Sequence, residues 1–583
     1  MGKGDVLTRK VWGFASLVFT ALALLLLSPV LIDFGSRAIG DPAADTWNHV
    51  WGYWYIERAL LGEHPFFDVG LLGYPEGGAL WFIDILGALL TAPLGWIAGP
   101  VTAYNAALLL NLVFAGLASW RLAFHVTRSL PGAYAAGAIY MLCPHVFGQL
   151  HNGISETVAT GWLPLSVWLG MRMLEHPSSR RGAAWGFSLI CAMTASAYYG
   201  VFAGAFAGAL LLHALWRTPK RLLAARRALL VGLEVGVVGV LVIAWGFLGS
   251  LEDGLVSRDP AFVWKTLIEH NMVDLLSFGH FGPYQSPDLE VLYDEHLMVV
   301  VYIGWAALLT GLLGLVRTGS SGGRGWALGA FCCFVLALGP YLYVGGSYLE
   351  IADRAVALPF ATLADWGLGM DRVAHPYRFA VPLGLCVALL AAFAIAHTRR
   401  PTVWAGALVT VHAVELFALS PAEFPLPTST VDVPGVYEEI STSGAVIDLP
   451  ASLQVLDRAR YNLYQTHHGR PIPYGLNDPT PAVLGNNPLG RLLIDTERTP
   501  LRTLEPVLPV IELEVGRRIW VQDGFAAVVL HHDLYPADRD VPVRQLLEML
   551  LGPGERVGNS TWFALDVDPA EAQATSVSGV EQG

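Results

Sequence analysis

The chain has 583 residues and a mean hydropathy of +0.49, and only 14% of its residues are charged, against about a quarter in soluble domains. This composition excludes an ordinary soluble protein and indicates a polytopic membrane protein with a soluble part. The formal net charge of −13 comes largely from stretches outside the apolar segments, so it gives no indication of a nucleic-acid partner. All five cysteines fall in apolar segments, which predicts neither a disulfide framework nor a cysteine metal site.

The first apolar segment, at about 12–33, follows Lys3, Arg9 and Lys10 and is predicted to be a retained anchor that runs from inside to outside. The next apolar run, at 80–98, is open to two interpretations. If it spans the membrane, the later basic loops lie outside. If it lies in the outer interface or re-enters, those loops all lie inside. Short loops rich in Lys and Arg mark the inner side of a membrane, so the second interpretation is preferred.

This topology predicts about eleven membrane spans, since roughly 20 apolar residues cross a bilayer. The predicted spans lie at about 12–33, 102–125, 131–149, 157–175, 182–197, 199–216, 228–249, 297–316, 326–345, 378–397 and 402–419. The loops assigned to the outer side are 34–101, 150–156, 250–296 and 346–377, together with everything after about 420. The predicted fold is therefore mainly α, with a membrane domain at 1–420 whose first outer loop carries amphipathic and interfacial helices.

A different composition begins near Pro421 and predicts a second domain. Residues 445–449 and 526–530 have the pattern of buried strands, and helical patterns lie between and after them. These features predict a soluble α/β domain at 421–568 on the outer side. The polar tail at 569–583 is predicted to be disordered.

The first outer loop carries two carboxylates, Asp41 and Asp45. Asp41 followed by Pro42 is typical of a helix start, with Asp41 as N-cap. Asp41, Asp45 and His49 are then four residues apart and share one helix face. The aromatic residues of this stretch fall mostly on the other side and favour the membrane–water boundary: Trp47, Trp51, Trp54 and Tyr55.

Several short motifs follow one another along the chain in a recognisable order. They are Gly-Asp at 40–41 with the stretch to Trp51, Tyr-Pro-Glu-Gly at 74–77, Ala-Tyr-Asn at 103–105, His-Asn at 151–152, Trp-Leu-Pro-Leu at 162–165, Tyr-Tyr at 198–199, Arg-Val-Ala-His-Pro-Tyr-Arg-Phe at 372–379 and Tyr-Gln-Thr-His-His-Gly-Arg-Pro-Ile at 464–472. With an anchor, an acidic outer loop and many spans, this order resembles the GT-C superfamily of membrane glycosyltransferases, and a bacterial branch of it in particular. Many members carry adjacent acidic residues in the first loop, whereas this chain has Asp-x-x-x-Asp.

The resemblance implies transfer of a sugar from a polyprenyl-phosphate carrier to a glycan, lipid or protein acceptor on the outer face, with inversion. It also implies an integral protein of the bacterial inner membrane, with the N-terminus in the cytoplasm. Asp45 is the preferred general base and Asp41 its support, because Asp41 has a competing role as a cap. The Asp-x-x-x-Asp spacing leaves open which of the two aspartates matches the catalytic position of the superfamily. The pair could also share a Mg²⁺ or Mn²⁺ ion with His49, although neither cofactor nor metal is otherwise predicted.

Further candidate substrate-binding residues fall in three groups. In the loop at 150–156, His151, Asn152 and Glu156 are candidates for binding hydroxyl groups of the acceptor or sugar. The alternative is structural, with Ser155 as the cap of the next helix and Glu156 in its first turn. Before the span at 378–397, Arg378 is predicted to hold the carrier phosphate with the help of Arg372 or His375. The alternative is that Arg378 extends to lipid headgroups.

Tyr198 and Tyr199 are predicted either to contact the sugar or prenyl chain or to belong to an aromatic belt at the membrane interface. Asp84 is either a site carboxylate or a solvent-facing polar residue. The rival function is a non-catalytic membrane scaffold, or a transporter of lipids or glycans with a degenerate GT-C fold.

Overall fold

The computed structural model describes residues 8–79, 83–252, 263–279, 297–317, 322–367, 370–420, 422–476, 481–499 and 510–566. The predicted tail at 569–583 and most of the predicted loop at 250–296 lie outside these ranges. As far as it is described, the chain is mainly helical and divides into two compact units. The first unit contains Met1–Glu57, Phe82–Leu248 and Ser257–Ser429, and the second contains Arg58–Trp81, Gly249–Val256 and Thr430–Gly583.

Helices that are long and apolar enough to cross a membrane make this an integral membrane protein. The described residues contain six of them: Arg9–Leu26, Pro100–Thr127, Ala197–Arg217, Arg226–Trp245, Pro376–Ala396 and Pro401–Leu419. At 1.5 Å per residue, helices of 18 residues or more reach across most of a hydrocarbon core of about 30 Å. Shorter apolar helices are Ile85–Ala98, Trp305–Arg317 and Gly323–Ala337. The predicted span at 182–197 holds the 17-residue helix Ser179–Ala195.

Two of the predicted spans are broken helices. The span predicted at 131–149 is divided into Leu130–Met141 and Pro144–His151. The span predicted at 157–175 is divided into Ser155–Val158 and Trp162–Glu175. The first break follows from Pro144, because a residue before proline disfavours helical backbone and Cys143 is extended. Every residue of the predicted outer loop at 150–156 is buried, and helical residues extend into it from both ends.

The predicted span at 297–316 is also only partly helical. Residues 297–304 form no helix, and the helix Trp305–Arg317 follows them. The side chain of Asn152 satisfies this backbone with two hydrogen bonds, accepting from the Met298 amide at 2.7 Å and donating to its carbonyl at 3.0 Å. His145 Nδ1 lies 2.8 Å from the Val300 carbonyl. Irregular backbone at membrane depth requires such partners within the protein.

The first unit contains several further elements. Its other helices are Thr46–Leu60, which continues into the second unit, Pro219–Ala224 and Pro359–Asp365, with single helical turns at Ser28–Val30, Val263–Ile268, Leu275–Phe278, Met370–Arg372 and Pro376–Phe379. Its strands are Arg37–Ile39, Tyr343–Val344, Ser347–Tyr348 and most of Thr428–Thr430. The predicted span at 326–345 therefore holds the helix Gly323–Ala337 and part of a hairpin.

The second unit contains a mixed four-stranded sheet. Its strands, in spatial order, are Ala445–Leu449, Phe525–His531, Ser560–Ala564 and Glu555–Val557, of which only the first pair is parallel. Asp68–Val69 and Gly78–Ala79 form a separate pair. The helices are Val436–Glu439, Ala459–His468, Ala482–Gly485, Pro488–Arg498, Val510–Gln522 and Asp540–Leu551, with a turn at His532–Leu534. The two parallel strands are buried on both faces, and the one acidic side chain in them, Asp448, lies 2.9 Å from His531 Nε2.

Candidate active site

The two candidate carboxylates lie in a turn before the helix Thr46–Leu60. Asp41 Oδ1 accepts a hydrogen bond from the Ala43 amide at 2.8 Å, and Thr46 Oγ1 donates to the Asp41 carbonyl at 2.9 Å. An aspartate bonded to the amide two residues ahead stabilises a turn. The predicted helix start at Asp41 is therefore wrong, because the helix begins at Thr46 and Asp45 directly precedes it.

This turn is bonded to the chain at His151 and Asn152. The Asp41 amide donates to the His151 carbonyl at 2.8 Å, and the Asp45 amide donates to the Asn152 carbonyl at 3.1 Å. Gly153 permits the close approach, since its φ is +71° and a Cβ there would lie 2.2 Å from Thr46 Oγ1. The His151 ring is buried, which lowers its pKa, although Asp41 opposes this effect.

Tyr104 and Asn105 hold the same loop in place. The Tyr104 hydroxyl lies 2.8 Å from the Ile39 carbonyl and 2.9 Å from the Gly153 carbonyl. Asn105 Oδ1 accepts from the Ile39 amide at 3.2 Å. Both residues belong to the motif at 103–105, for which the sequence suggested no role. The structure places them as the support that joins the two loops of the site.

Asp45 is surrounded by side chains of its own helix. Asn48 Nδ2 donates to Asp45 Oδ1 at 2.7 Å, and His49 Nε2 lies 3.6 Å from Asp45 Oδ2. The predicted four-residue spacing thus brings Asp45 and His49 together. The other ring nitrogen of His49 lies 3.0 Å from Ser155 Oγ, so Ser155 contacts the ring and its side chain does not cap a helix. Burial alone would lower the pKa of His49, but neighbouring carboxylates, Asp45 first, raise it above the usual value.

Glu156 connects His49 to Arg378. His49 Nε2 lies 3.7 Å from Glu156 Oε2, and Arg378 donates through NH1 to Glu156 Oε1 at 2.9 Å. Arg378 lies in the turn Pro376–Phe379 and is only 7% exposed, with its guanidinium 4.4 Å above the Tyr198 ring. An arginine that reaches lipid headgroups would be exposed, so that alternative is wrong. A buried ion pair with a cation–π contact takes its place.

Four predicted residues therefore form one buried row of alternating charge, which we call the charged row: Asp45, His49, Glu156 and Arg378. Each member is less than 10% exposed. These residues come from three separate parts of the chain. The row places a carboxylate at one end and a guanidinium at the other.

Aromatic rings extend the site beyond Arg378. The Tyr198 and His375 rings are stacked, with centroids 6.0 Å apart and planes at 22°. Tyr199 is buried, and its hydroxyl donates to the Thr157 carbonyl. The prediction that Tyr199 belongs to an aromatic belt at the membrane interface is therefore wrong. The side chain of Arg372 lies outside the described part of the structure.

The aromatic side of the first-loop helix does not lie at the membrane boundary as predicted. All four residues are buried: Trp47, Trp51, Trp54 and Tyr55. The Trp51 and Tyr55 rings are stacked, with centroids 5.0 Å apart. The helix is buried on every side from Thr46 to Glu57, because its aromatic face packs within the protein. Amphipathic spacing alone cannot distinguish a lipid interface from a protein interior.

Asp84 is a buried helix cap beside the charged row. Its Oδ1 accepts from the Gly87 amide at 2.7 Å, which caps the helix Ile85–Ala98. Its Oδ2 accepts from Asn111 Nδ2 at 2.9 Å and lies 3.4 Å from the Tyr53 hydroxyl. Asp84 is 1% exposed, so a solvent-facing position is wrong. Burial raises its pKa from 3.8 to about 6.

Asp84→Asn is expected to stabilise the protein at pH 7.5 but not at pH 4. The folded-state pKa lies above the unfolded one, so wild-type stability falls as the pH rises from about 4 to 6, by up to about 3 kcal/mol. Asparagine removes this charge and still caps the helix. Thermal unfolding in detergent at both pH values measures the difference. The exposed Asp33→Asn is the control, and a pH-independent effect of Asp84→Asn would contradict the assignment.

A metal ion fits the described residues poorly. No group of three or more His, Cys, Asp or Glu side chains among them is arranged to hold one. Asp45 is engaged by Asn48 and His49, and one oxygen of Asp41 accepts from a backbone amide. The cation suggested for Asp41 and Asp45 stays a prediction, and no chemical step is assigned to it.

Comparison with solved structures identifies the fold. No protein-family model matches the sequence, and no curated protein matches it. The mycobacterial arabinofuranosyltransferase AftD is 15% identical, with a TM-score of 0.51 over 97% of this chain and 40% of its own. The oligosaccharyltransferase of Archaeoglobus fulgidus is 12% identical, with a TM-score of 0.51 over 89% of this chain and 70% of its own.

Both neighbours are GT-C glycosyltransferases, which are membrane enzymes. The chain therefore has the GT-C fold, and the resemblance predicted from the sequence motifs is confirmed at this level. This chain spans about 40% of the length of the arabinofuranosyltransferase.

Proposed function

We propose that the protein is an integral-membrane glycosyltransferase that moves a sugar from a polyprenyl-phosphate carrier to an acceptor, with inversion. The charged row carries this proposal, because it supplies a carboxylate for the acceptor and a guanidinium for the carrier within one cluster. The GT-C fold, shared with an arabinofuranosyltransferase and an oligosaccharyltransferase, supports it. The reaction takes place on the outer face of the bacterial inner membrane, with the N-terminus inside and the second unit outside.

In the proposed reaction the acceptor hydroxyl attacks C1 of the carrier-linked sugar. Its proton passes to the Asp45 carboxylate as the new bond between oxygen and C1 forms. The bond from C1 to the phosphate oxygen breaks, and the phosphate leaves with the bonding electrons. Attack from the face opposite the phosphate inverts C1. His49 and Asn48 keep the Asp45 carboxylate in place for this step.

Arg378 stabilises the negative charge that develops on the leaving phosphate. Its NH1 is bonded to Glu156, whereas its buried Nε has no hydrogen-bond partner among the described residues. A phosphate oxygen would satisfy this donor, and a charge-assisted hydrogen bond of this kind is about twice as strong as a neutral one. A fixed guanidinium needs no reorganisation during the reaction. His375 and Tyr198 line the approach to it.

A non-catalytic scaffold or transporter is the alternative. It is favoured by the direct pairing of Glu156 and Arg378, which neutralise each other without a substrate. A purely structural ion pair has this geometry as well.

Loss of the protein is expected to change the lipid-linked sugars of its host. In a deletion strain, the carrier-linked sugar should accumulate and one sugar should disappear from an envelope glycan, lipid or protein. Mass spectrometry of lipid extracts and envelope fractions measures both changes. Complementation with the wild-type chain should restore the profile. An unchanged profile in the deletion strain would exclude the proposed transferase.

A further inference from the structure

A second polar site lies between two membrane helices and contains no member of the charged row. The helix Ala197–Arg217 ends there, a short helix follows, and Arg226–Glu252 begins. The segment borders an open groove of about 510 Å³. We call this the basic groove, and the residues that line it are Lys220, Leu223, Ala224, Arg226 and Arg227.

The basic groove lies at a membrane boundary. Both adjoining helices are long and apolar enough to cross a membrane, so the residues between them lie near one surface of it. Trp216, 78% exposed, directly precedes them, and the Arg217 guanidinium lies 4.5 Å from its ring. Exposed tryptophan is typical of the headgroup layer. Leu223 and Leu230 are each 64% exposed and offer an apolar surface beside the charges.

The charge in this region has a single sign. The sequence has no Asp or Glu from 176 to 233, and five exposed cations lie between 217 and 227. The acidic residue that precedes this stretch, Glu175, is already engaged, 3.0 Å from His125 Nε2 and 3.6 Å from Arg172 NH1. The cations of the groove are therefore available for an anionic ligand.

The groove is held by a packed scaffold. Ala225 and Ala228, which flank Arg226 and Arg227, are at most 2% exposed and pack in a cluster with Met173 and Trp185. These buried alanines fix the backbone from which Arg226 and Arg227 project, and preorganisation of this kind favours binding.

We propose that the basic groove binds the phosphate of an anionic phospholipid, with an acyl chain along Leu223 and Leu230. Lys220, Arg226 and Arg227 hold the phosphate oxygens by charge-assisted hydrogen bonds. A phosphate headgroup matches the charge of the groove, and an attached acyl chain matches its apolar border. A free phosphate ion would use the charges alone.

The test compares two adjacent arginine pairs in the full-length protein. Arg226→Gln with Arg227→Gln removes the groove pair. Arg399→Gln with Arg400→Gln is the matched control, since this exposed pair also lies between two apolar helices, Pro376–Ala396 and Pro401–Leu419. Native mass spectrometry with phosphatidylglycerol and phosphatidylcholine measures the bound lipid, and circular dichroism checks the fold.

The wild type is expected to prefer phosphatidylglycerol, and the groove variant to bind it at least about 10-fold more weakly, because a charge-assisted hydrogen bond to the phosphate is worth a factor of about 10 or more. The control pair should change the affinity less than about 3-fold, because its cations do not border the groove. Equal losses in both variants would overturn the proposal in favour of general surface attraction. Inorganic phosphate that competes as strongly as the lipid would overturn the lipid assignment.

Discussion

Asp45→Asn is expected to lower glycosyl transfer by at least about 100-fold while the protein remains folded. General-base catalysis typically contributes 10²–10⁴-fold, and an amide cannot accept the acceptor's proton. The substitution keeps the shape of the side chain. Its amide oxygen can still accept from Asn48 Nδ2, whereas the ionic attraction to His49 is lost. Transfer in membranes of a complemented deletion strain, together with thermal unfolding of the purified protein, measures the two effects separately.

Two matched variants make this result specific. Asp33→Asn alters a carboxylate near the end of the first apolar segment whose side chain is 51% exposed and 3.9 Å from Arg37, so it should leave transfer unchanged. Asp41→Asn alters the half-buried neighbour in the turn and should reduce transfer less than Asp45→Asn. Full activity of the Asp45→Asn variant would remove Asp45 from the mechanism. A larger loss at Asp41 would transfer the role of base to that residue.

The sequence located the parts of the candidate site but not the contacts between them. The four-residue spacing from Asp45 to His49 needs only helix geometry, and the structure has it. The pairing of Glu156 with Arg378 joins positions 222 residues apart. An arginine before an apolar helix has the same local pattern whether it reaches lipid or a buried carboxylate. Only the fold decides between them.

Broken helices were missed for a related reason. Hydropathy over 131–149 and 297–316 is that of continuous spans, since an apolar sequence is compatible with helix and with buried irregular backbone. What stabilises the break is the Asn152 side chain, which bonds the Met298 backbone across 146 residues. Pro144 was the local signal for the break. Asp41 shows a different limit of prediction from sequence. Aspartate is common both at helix N-caps and in turns, so the residue type alone did not show that Asp41 lies in a turn.

Removing one partner of the Glu156–Arg378 pair is expected to destabilise the protein strongly. Both side chains are buried, at 6% and 7% exposure, and the bond between them is 2.9 Å long. Either Glu156→Gln or Arg378→Gln leaves one charge buried without its main partner, which costs about 3–5 kcal/mol. Glu63→Gln is the control, because Glu63 pairs with Arg58 at 3.1 Å on the exposed surface and such pairs contribute about 0–1 kcal/mol.

The double variant separates the structural role of Arg378 from its proposed role in phosphate binding. Glu156→Gln with Arg378→Gln leaves no unpaired charge, so it should recover most of the lost stability. It also removes the guanidinium that stabilises the leaving phosphate, so transfer should stay at least about 100-fold below wild type. Arg378→Lys retains the charge but not the planar fork, and should bind the phosphate poorly even where the protein is folded. A stable double variant with wild-type transfer would show that the pair serves only the fold, which is the expectation for a non-catalytic scaffold.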